Sequence, residues 1–191
     1  MDEALGLLGL QASSRCVDRT VIELDQEIRA LVASIEPRYP AKAITADVRV
    51  GALRVVADLN LLRDALERVI DNAMKFSDDS GTVEITAEMT ESPRGGAWVT
   101  ISIRDEGIGI APEDLGKTFQ LLTLSHSYEN HTRGWGLGLA IAKEAVRQHG
   151  GTIEIWSAGR GKGCCVTIDL PTAVVEEPVA VSPSPASTTT P

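Results

Sequence analysis

Two glycine clusters, DEGIGI at residues 105–110 and GWGLGL at residues 134–139, follow a helix-like run, ALERVIDNAMKFS at residues 65–77. This ordered trio constrains the fold more than any other feature of the chain. Glycine at every second position marks backbone that turns sharply or passes close to another group. The first cluster follows the alternating pattern AWVTISIR, so the chain leaves a strand with an acid first and flexible backbone next. The second opens the apolar-periodic stretch GLGLAIAKEAVRQHG, which sets glycine amides at a helix N-terminus, where anions are favoured. Order and context together imply a site for a phosphate-bearing ligand.

The rest of the chain supplies a frame for that site. RTVIEL reads as a short strand, and Asp25 is placed to cap the helix QEIRALVASI, whose Ile28, Leu31, Val32 and Ile35 form one apolar stripe ended by Pro37 and Pro40. ITADVRV and LRVVAD read as two strands separated by Gly51, and Asp58 is placed to cap the next helix. In that helix Leu62, Leu66, Val69 and Ala73 share one side, and Asn72 and Lys75 lie off it. Alternation in TVEITAEM, AWVTISIR, TIEIWS and GCCVTIDL gives four further strands, with SPRGG and SAGRGKG as hairpin connections. The expected architecture is a two-layer α/β sandwich, a mixed and largely antiparallel sheet covered on one face by about three helices.

Between the glycine clusters, PEDLGKTFQLLTLSHSYENHTR is polar, long and irregular, and reads as a lid. Residues 1–19 are a linker or a helix remnant, and 20–171 form the domain. Residues 172–191, rich in Pro, Ser, Thr and Ala, read as disordered. A chain of 191 residues with 43% hydrophobic content supports one good core. Its net charge of -9 argues against nucleic acid or an anionic membrane as partner. No run approaches the roughly 20 apolar residues that span a bilayer, and no signal-peptide pattern opens the chain, so a cytoplasmic location is expected. Cys16, Cys164 and Cys165 have neither metal spacing nor a disulfide framework.

With these residues in view, the sequence resembles the catalytic, ATP-binding domain of sensor histidine kinases, within a wider family that includes gyrase-type and chaperone ATPases. DNAMKFS at 71–77 is similar to the asparagine box, DEGIGI to the first glycine box and GWGLGL to the second, and Phe119 resembles what is left of the phenylalanine box. The resemblance covers roughly residues 20–171 and implies a histidine protein kinase that uses ATP and Mg²⁺. Its implied partners are a histidine-containing dimerisation domain, in the same protein or in trans, and a response regulator receiver domain. Direct membrane contact by this chain is not expected.

The resemblance also implies roles for individual residues. Asn72 is the magnesium ligand, a neutral oxygen donor that avoids the repulsion a carboxylate would bring to a triphosphate. Lys75 pairs with a phosphate, and Phe76 lies beside the adenine. Asp105 accepts a hydrogen bond from the adenine exocyclic amine, where guanine would present a carbonyl oxygen, and so selects ATP over GTP. Gly107, Gly109 and Ile110 border the base. Gly134, Gly136, Leu137 and Gly138 border the phosphates, with Phe119 at the lid and Arg133 in reach of the terminal phosphate. Each has a plainer reading: Asn72, Lys75 and Arg133 as solvated polar side chains, Phe76 as core, and Asp105 with its glycines as a tight turn.

Departures matter as much. Four residues before Asn72, where sensor kinases carry a second asparagine and hydrolytic relatives a glutamate base, this chain has Arg68, taken here as a third catalytic candidate beside Asn72 and Lys75. Glu67 is adjacent, but one residue is about 100° of helix rotation. Trp135 is bulky for a glycine cluster, and Leu122 stands where a second phenylalanine is usual. His126, His131 and His149 lie in no setting like a phosphoacceptor box, so the accepting histidine is expected outside this chain. Two alternatives stay open: a degenerate kinase domain that senses nucleotide or docks a partner, and a serine kinase of the anti-sigma-factor type.

Overall fold

The computed structural model describes residues 18–91, 96–120 and 137–171. Over these the chain forms β1 (Arg19–Glu23), α1 (Leu24–Ile35), a 3₁₀ turn (Glu36–Arg38), β2 (Thr45–Arg49), β3 (Arg54–Asp58) and α2 (Leu59–Phe76). There follow β4 (Thr82–Glu91), β5 (Ala97–Asp105), a single helical turn α3 (Pro112–Leu115), α4 (Gly138–Gln148), β6 (Thr152–Trp156) and β7 (Cys165–Pro171).

Five strands form one sheet in the order β2-β4-β5-β7-β6, with β2 parallel to β4 and every other pair antiparallel. The expected mixed, largely antiparallel sheet is present. One difference lies at its margin: β1 and β3 pair with each other, Val21 opposite Val56, as a separate two-stranded ribbon. Alternation marks both segments as strands but carries no information on partners.

Period-two burial drives the layering. Val83 and Ile85 of β4, Val99, Ile101 and Ile103 of β5, and Val166, Ile168 and Leu170 of β7 are all buried, and their neighbours turn outward. Against that face lie Leu24, Ile28 and Ile35 of α1, Leu62, Leu66, Ile70 and Met74 of α2, and Ala142, Ala145 and Val146 of α4. Each fully buried Leu or Ile contributes about 1.5 to 3 kcal/mol of transfer free energy, so these three amphipathic helices are held chiefly by the sheet they cover. The result is the expected two-layer α/β sandwich.

Two helix starts separate a correct cap from an incorrect one. Asp58 caps α2, its side chain accepting from the Asn60 and Leu61 amides at 3.0 and 3.2 Å. Asp25 does not cap α1. That helix begins at Leu24, after Glu23, with no side-chain cap bond, and Asp25 sits in its first turn as an ion-pair partner of Arg29. Leu24 therefore belongs to the helix rather than to the strand before it. It is fully buried, and this burial sets the start of α1 in place of a polar cap.

The α2 helix ends without a glycine, and its last carbonyls are satisfied from three directions. Ala73 O accepts from the Ser77 amide at 3.0 Å and the Ser77 hydroxyl at 2.8 Å. Lys42 Nζ donates to Lys75 O at 2.8 Å, Ser77 O at 2.6 Å and, more weakly, Met74 O at 3.5 Å. Phe76 O accepts from the Ile108 amide at 3.2 Å, a bond that joins the helix end to the first glycine cluster. Orphan carbonyls at a helix C-terminus require partners of this kind.

Candidate nucleotide site

The candidate residues lie on α2, on the end of β5 with the β6–β7 loop beside it, and at the start of α4. Asp105 closes β5 with 7% exposure, a buried acid among apolar strand residues. Its Oδ1 accepts from the Gly107 amide at 2.9 Å and the Cys164 amide at 3.2 Å. Both bonds fall on one oxygen, and among the described residues no hydrogen bond is recorded to Oδ2. Burial pushes the Asp105 carboxyl above the usual carboxylate range, the two amides pull it back, and the charge of Asp78 raises it slightly. A buried acid with one open oxygen is an acceptor waiting for a donor.

Behind Asp105 the chain is wedged against α2. A Cβ on Gly107 would overlap Phe76 O, and Gly107 bridges to Ser77. Gly109 has φ +61°, and a side chain there would run into the backbone of Gly159. Both glycines are therefore required by close approach to neighbouring protein backbone, a structural demand that stands apart from any contact with a base.

The β6–β7 loop, residues 157–164, does more than turn the chain. The Ser157 side chain, 5% exposed, accepts from the Ile110 amide at 3.0 Å and donates to Gly163 O at 2.6 Å. Gly161 N donates to Ile108 O at 2.7 Å, and Gly163 N to Gly107 O at 3.0 Å. The first glycine cluster is thus laced to this loop along its length. Cys164 follows, its thiol pushed up to about 12 by burial, with the Asp105 charge adding to the shift. Ser157, Gly163 and Cys164 were not singled out as site residues from the sequence. The only available signal was glycine at alternate positions after a serine, which a bare hairpin shares.

At the other end, α4 meets α2. Gly138 opens α4, and a Cβ placed on it would meet Asn72 Nδ2 at 3.8 Å and Arg68 Cβ at 4.0 Å. Arg68 and Asn72 lie one turn apart on α2, so both face the N-terminus of α4. Asn72 therefore sits at the positive end of the α4 dipole. Leu137 is buried and precedes α4, its carbonyl accepting from Ile141 N at 3.0 Å. Arg68 Nε contacts Asp64 Oδ1 at 3.1 Å. Glu67, next to Arg68 in sequence, turns away from this face of α2 and is engaged by Arg38 at 2.6 Å.

Lys75 and Phe76 come together at the end of α2, the Lys75 ammonium 5.2 Å from the Phe76 ring centroid. Phe119 packs on the core and meets Lys143 of α4 in the same way, also at 5.2 Å. Arg133, Gly134 and Gly136, with the lid histidines, Leu122 and Trp135, lie outside the described residues, as do the SPRGG turn apart from Gly96 and residues 1–17 and 172–191, whereas Arg19, at the end of the expected linker, opens β1. His149 is buried at the end of α4, where Nδ1 faces Ala145 O at 2.8 Å and Nε2 accepts from the Asp58 amide at 3.0 Å. With both ring nitrogens engaged in packing α4 against β3, His149 has a structural role. Among the described residues no cluster of three or more His, Cys, Asp or Glu side chains is placed to hold a metal ion. No helix of the described residues is long and apolar enough to cross a membrane.

Comparison with known proteins matches residues 57–174 to the family described as histidine kinase-, DNA gyrase B-, and HSP90-like ATPase. The chain belongs to this family. It carries the ATP-binding catalytic domain of the sensor histidine kinase type. Over 178 residues it is 34% identical to the sensor-like histidine kinase SenX3 of Mycobacterium tuberculosis, an alignment covering 90% of this chain and 41% of SenX3. It is 37% identical to the sensor histidine kinase WalK of Bacillus subtilis over 121 residues, 62% of this chain and 19% of WalK. The chain thus spans well under half the length of these relatives.

Solved structures agree on the fold. The mycobacterial sensor histidine kinase MprB matches with a TM-score of 0.70 at 27% identity, covering 81% of this chain and 97% of the MprB chain. Full-length ShkA, solved in complex with AMPPNP, matches with a TM-score of 0.76 at 26% identity over 90% of this chain and 35% of its own.

Proposed function

We propose that this ATP-binding domain catalyses phosphoryl transfer from ATP to a histidine on a dimerisation domain, in the same protein or in trans, from which a response regulator receiver domain takes the group. The observation that carries the reading is the pairing of two ends. Asp105 offers an open acceptor at the buried end of β5, and Asn72 and Arg68 face the N-terminus of α4. A nucleotide lying between these ends has its base at Asp105 and its phosphates at α4.

In this reading Asp105 accepts from the adenine amine, beside Phe76. The backbone of Gly107, Gly109 and Ile110, fixed by Phe76 O and Ser157, forms the wall next to the base. Lys75 balances phosphate charge, and the glycine-rich entry to α4, including Gly138, offers amides to phosphate oxygens. Asn72 is the proposed Mg²⁺ ligand. Its neutral carboxamide, in the absence of a described carboxylate cluster, suits an ion that is held mainly by phosphates and water with few protein ligands. When bound, the ion supplies charge neutralisation between the β- and γ-phosphates.

Transfer of this kind depends on positioning and charge more than on a protein base. Arg68 fits that demand. A guanidinium cannot take a proton from water, so it gives hydrolysis no general base, yet it can stabilise charge on the moving phosphoryl group. A cytoplasmic location, where ATP is supplied, belongs to the same proposal.

The deciding experiment is transfer of label from γ-labelled ATP to histidine-containing hairpins of candidate dimerisation domains, with the chain incubated alone as control. The expected result is acid-labile label on the supplied histidine and none on the chain itself. Nucleotide binding without transfer to any hairpin would favour a degenerate binding module, and acid-stable label on a supplied serine would favour a kinase of the anti-sigma-factor type.

A further inference from the structure

The three-carbonyl grip of Lys42 on the end of α2 has no role in the reading above. Lys42 lies between the 3₁₀ turn and β2, in a segment with no helical or strand pattern. Its half-buried ammonium nevertheless reaches Lys75 O and Ser77 O at 2.8 and 2.6 Å, with Met74 O at 3.5 Å. The same segment holds the outer side of α2 at two further points. Arg38 pairs with Glu67 at 2.6 Å and Asp71 at 3.4 Å, and the Tyr39 hydroxyl donates to Asp71 O at 3.3 Å. Residues 38–42 therefore form a strap along the face of α2 turned away from α4.

We propose that Lys42 is a positioning residue for the nucleotide site, fixing the last turn of α2 so that Lys75, Phe76 and the first glycine cluster keep their mutual geometry. The charge sits at the negative end of the helix dipole and satisfies carbonyls that no backbone amide reaches. Phe76 O, the next carbonyl along, carries the Ile108 amide, and Gly107 tolerates no side chain against it. A small rotation of this turn would move Lys75 at the phosphate end and the Asp105–Gly107 loop at the base end together. Holding it from the outer face leaves the inner face free for ligand.

The inference rests on the nucleotide reading, and its test separates the two. ADP affinity is measured by calorimetry well below the unfolding midpoint for the parent chain, Lys42→Met, Lys42→Arg and Asp58→Ala. The last removes the cap at the opposite end of the same helix and serves as a control for stability alone. Lys42→Met is expected to weaken ADP binding about tenfold, the weight of a lost charge-assisted hydrogen bond. Lys42→Arg should restore most of that affinity, and Asp58→Ala should lower the melting temperature with affinity within about twofold of the parent. If Lys42→Met does not fold, Lys42→Gln, which keeps a neutral donor, takes its place with the same expected direction. A parent chain that binds no ADP would overturn the nucleotide reading and this inference with it. A parent that binds while the Met or Gln variant binds equally well overturns the inference alone, as does an Asp58→Ala loss equal to that of Lys42→Met.

Discussion

Replacing Asp105 with Asn isolates the open carboxylate oxygen from the scaffold around it. The remaining amide oxygen can take the place of Oδ1 and accept from Gly107 N and Cys164 N, so the turn is kept. The amide nitrogen then replaces Oδ2 and sets a donor against the adenine amine. One hydrogen bond is lost and two donors are opposed in a buried site, a cost of about 1 to 3 kcal/mol, or roughly 5- to 150-fold in ADP affinity. Folding responds in the opposite sense.

Because the folded-state pKa of Asp105 is raised, the parent binds more protons folded than unfolded between the ordinary carboxylate range and that raised value. The stability linked to Asp105 is present in full below the unfolded pKa and is lost as pH rises through the folded one. The asparagine variant has no such loss. Calorimetry with ADP and GDP, paired with thermal unfolding across the acid range, reads both effects. Near neutral pH the variant should bind ADP more weakly, discriminate less between the purines, and melt no lower than the parent. Unchanged ADP affinity, or equal parental affinity for ADP and GDP, would refute the assignment of Asp105 to the base.

Two further variants test the other walls of the site. Gly107→Ala forces a methyl group into Phe76 O and should destabilise the fold by about 2 kcal/mol or more, while also weakening ADP binding; a chemical-denaturation midpoint equal to that of the parent would show that the glycine cluster moves freely from α2. Arg68→Ala should lower transfer to a supplied histidine by about tenfold or more with ADP affinity nearly unchanged, the pattern of a group acting on the transferring phosphate, and full activity in single-turnover assays would reduce Arg68 to a surface ion-pair partner of Asp64.

The sheet and the helices that cover it were legible because burial imposes a period on each. The Thr82–Glu91 strand, the apolar side of α2 and the Asp58 cap all follow from spacing alone. Partners that depend on distant parts of the chain leave no period. Nothing in RTVIEL says that it pairs with β3 outside the main sheet, and Asp25 has the composition of a cap at a helix whose start is set by the burial of Leu24. In the site, the motif residues stood out by type and order. Their supports did not, since Ser157 and Lys42 reach backbone atoms of residues tens of positions away and Cys164 reaches the Asp105 carboxylate through its own amide.

The end of α2 explains why several of the proposed site residues lie close together. Lys75 and Phe76 occupy the final turn, just beyond Asn72, and there carbonyls lack intrahelical partners and donors must come from elsewhere. Each donor that arrives brings a different part of the fold: Ser77 from the chain leaving the helix, Lys42 from the strap, and Ile108 from the first glycine cluster. Satisfying these carbonyls therefore also brings the proposed site residues together. A helix ended by a glycine cap would meet its own hydrogen-bonding needs locally and leave the glycine cluster without its bond to α2. By leaving α2 through Ser77 in extended conformation, with φ −61° and ψ 154°, the chain keeps Phe76 O available to Ile108 N, and Asp105 is held in register with Asn72 by one backbone hydrogen bond and the close approach that only Gly107 permits.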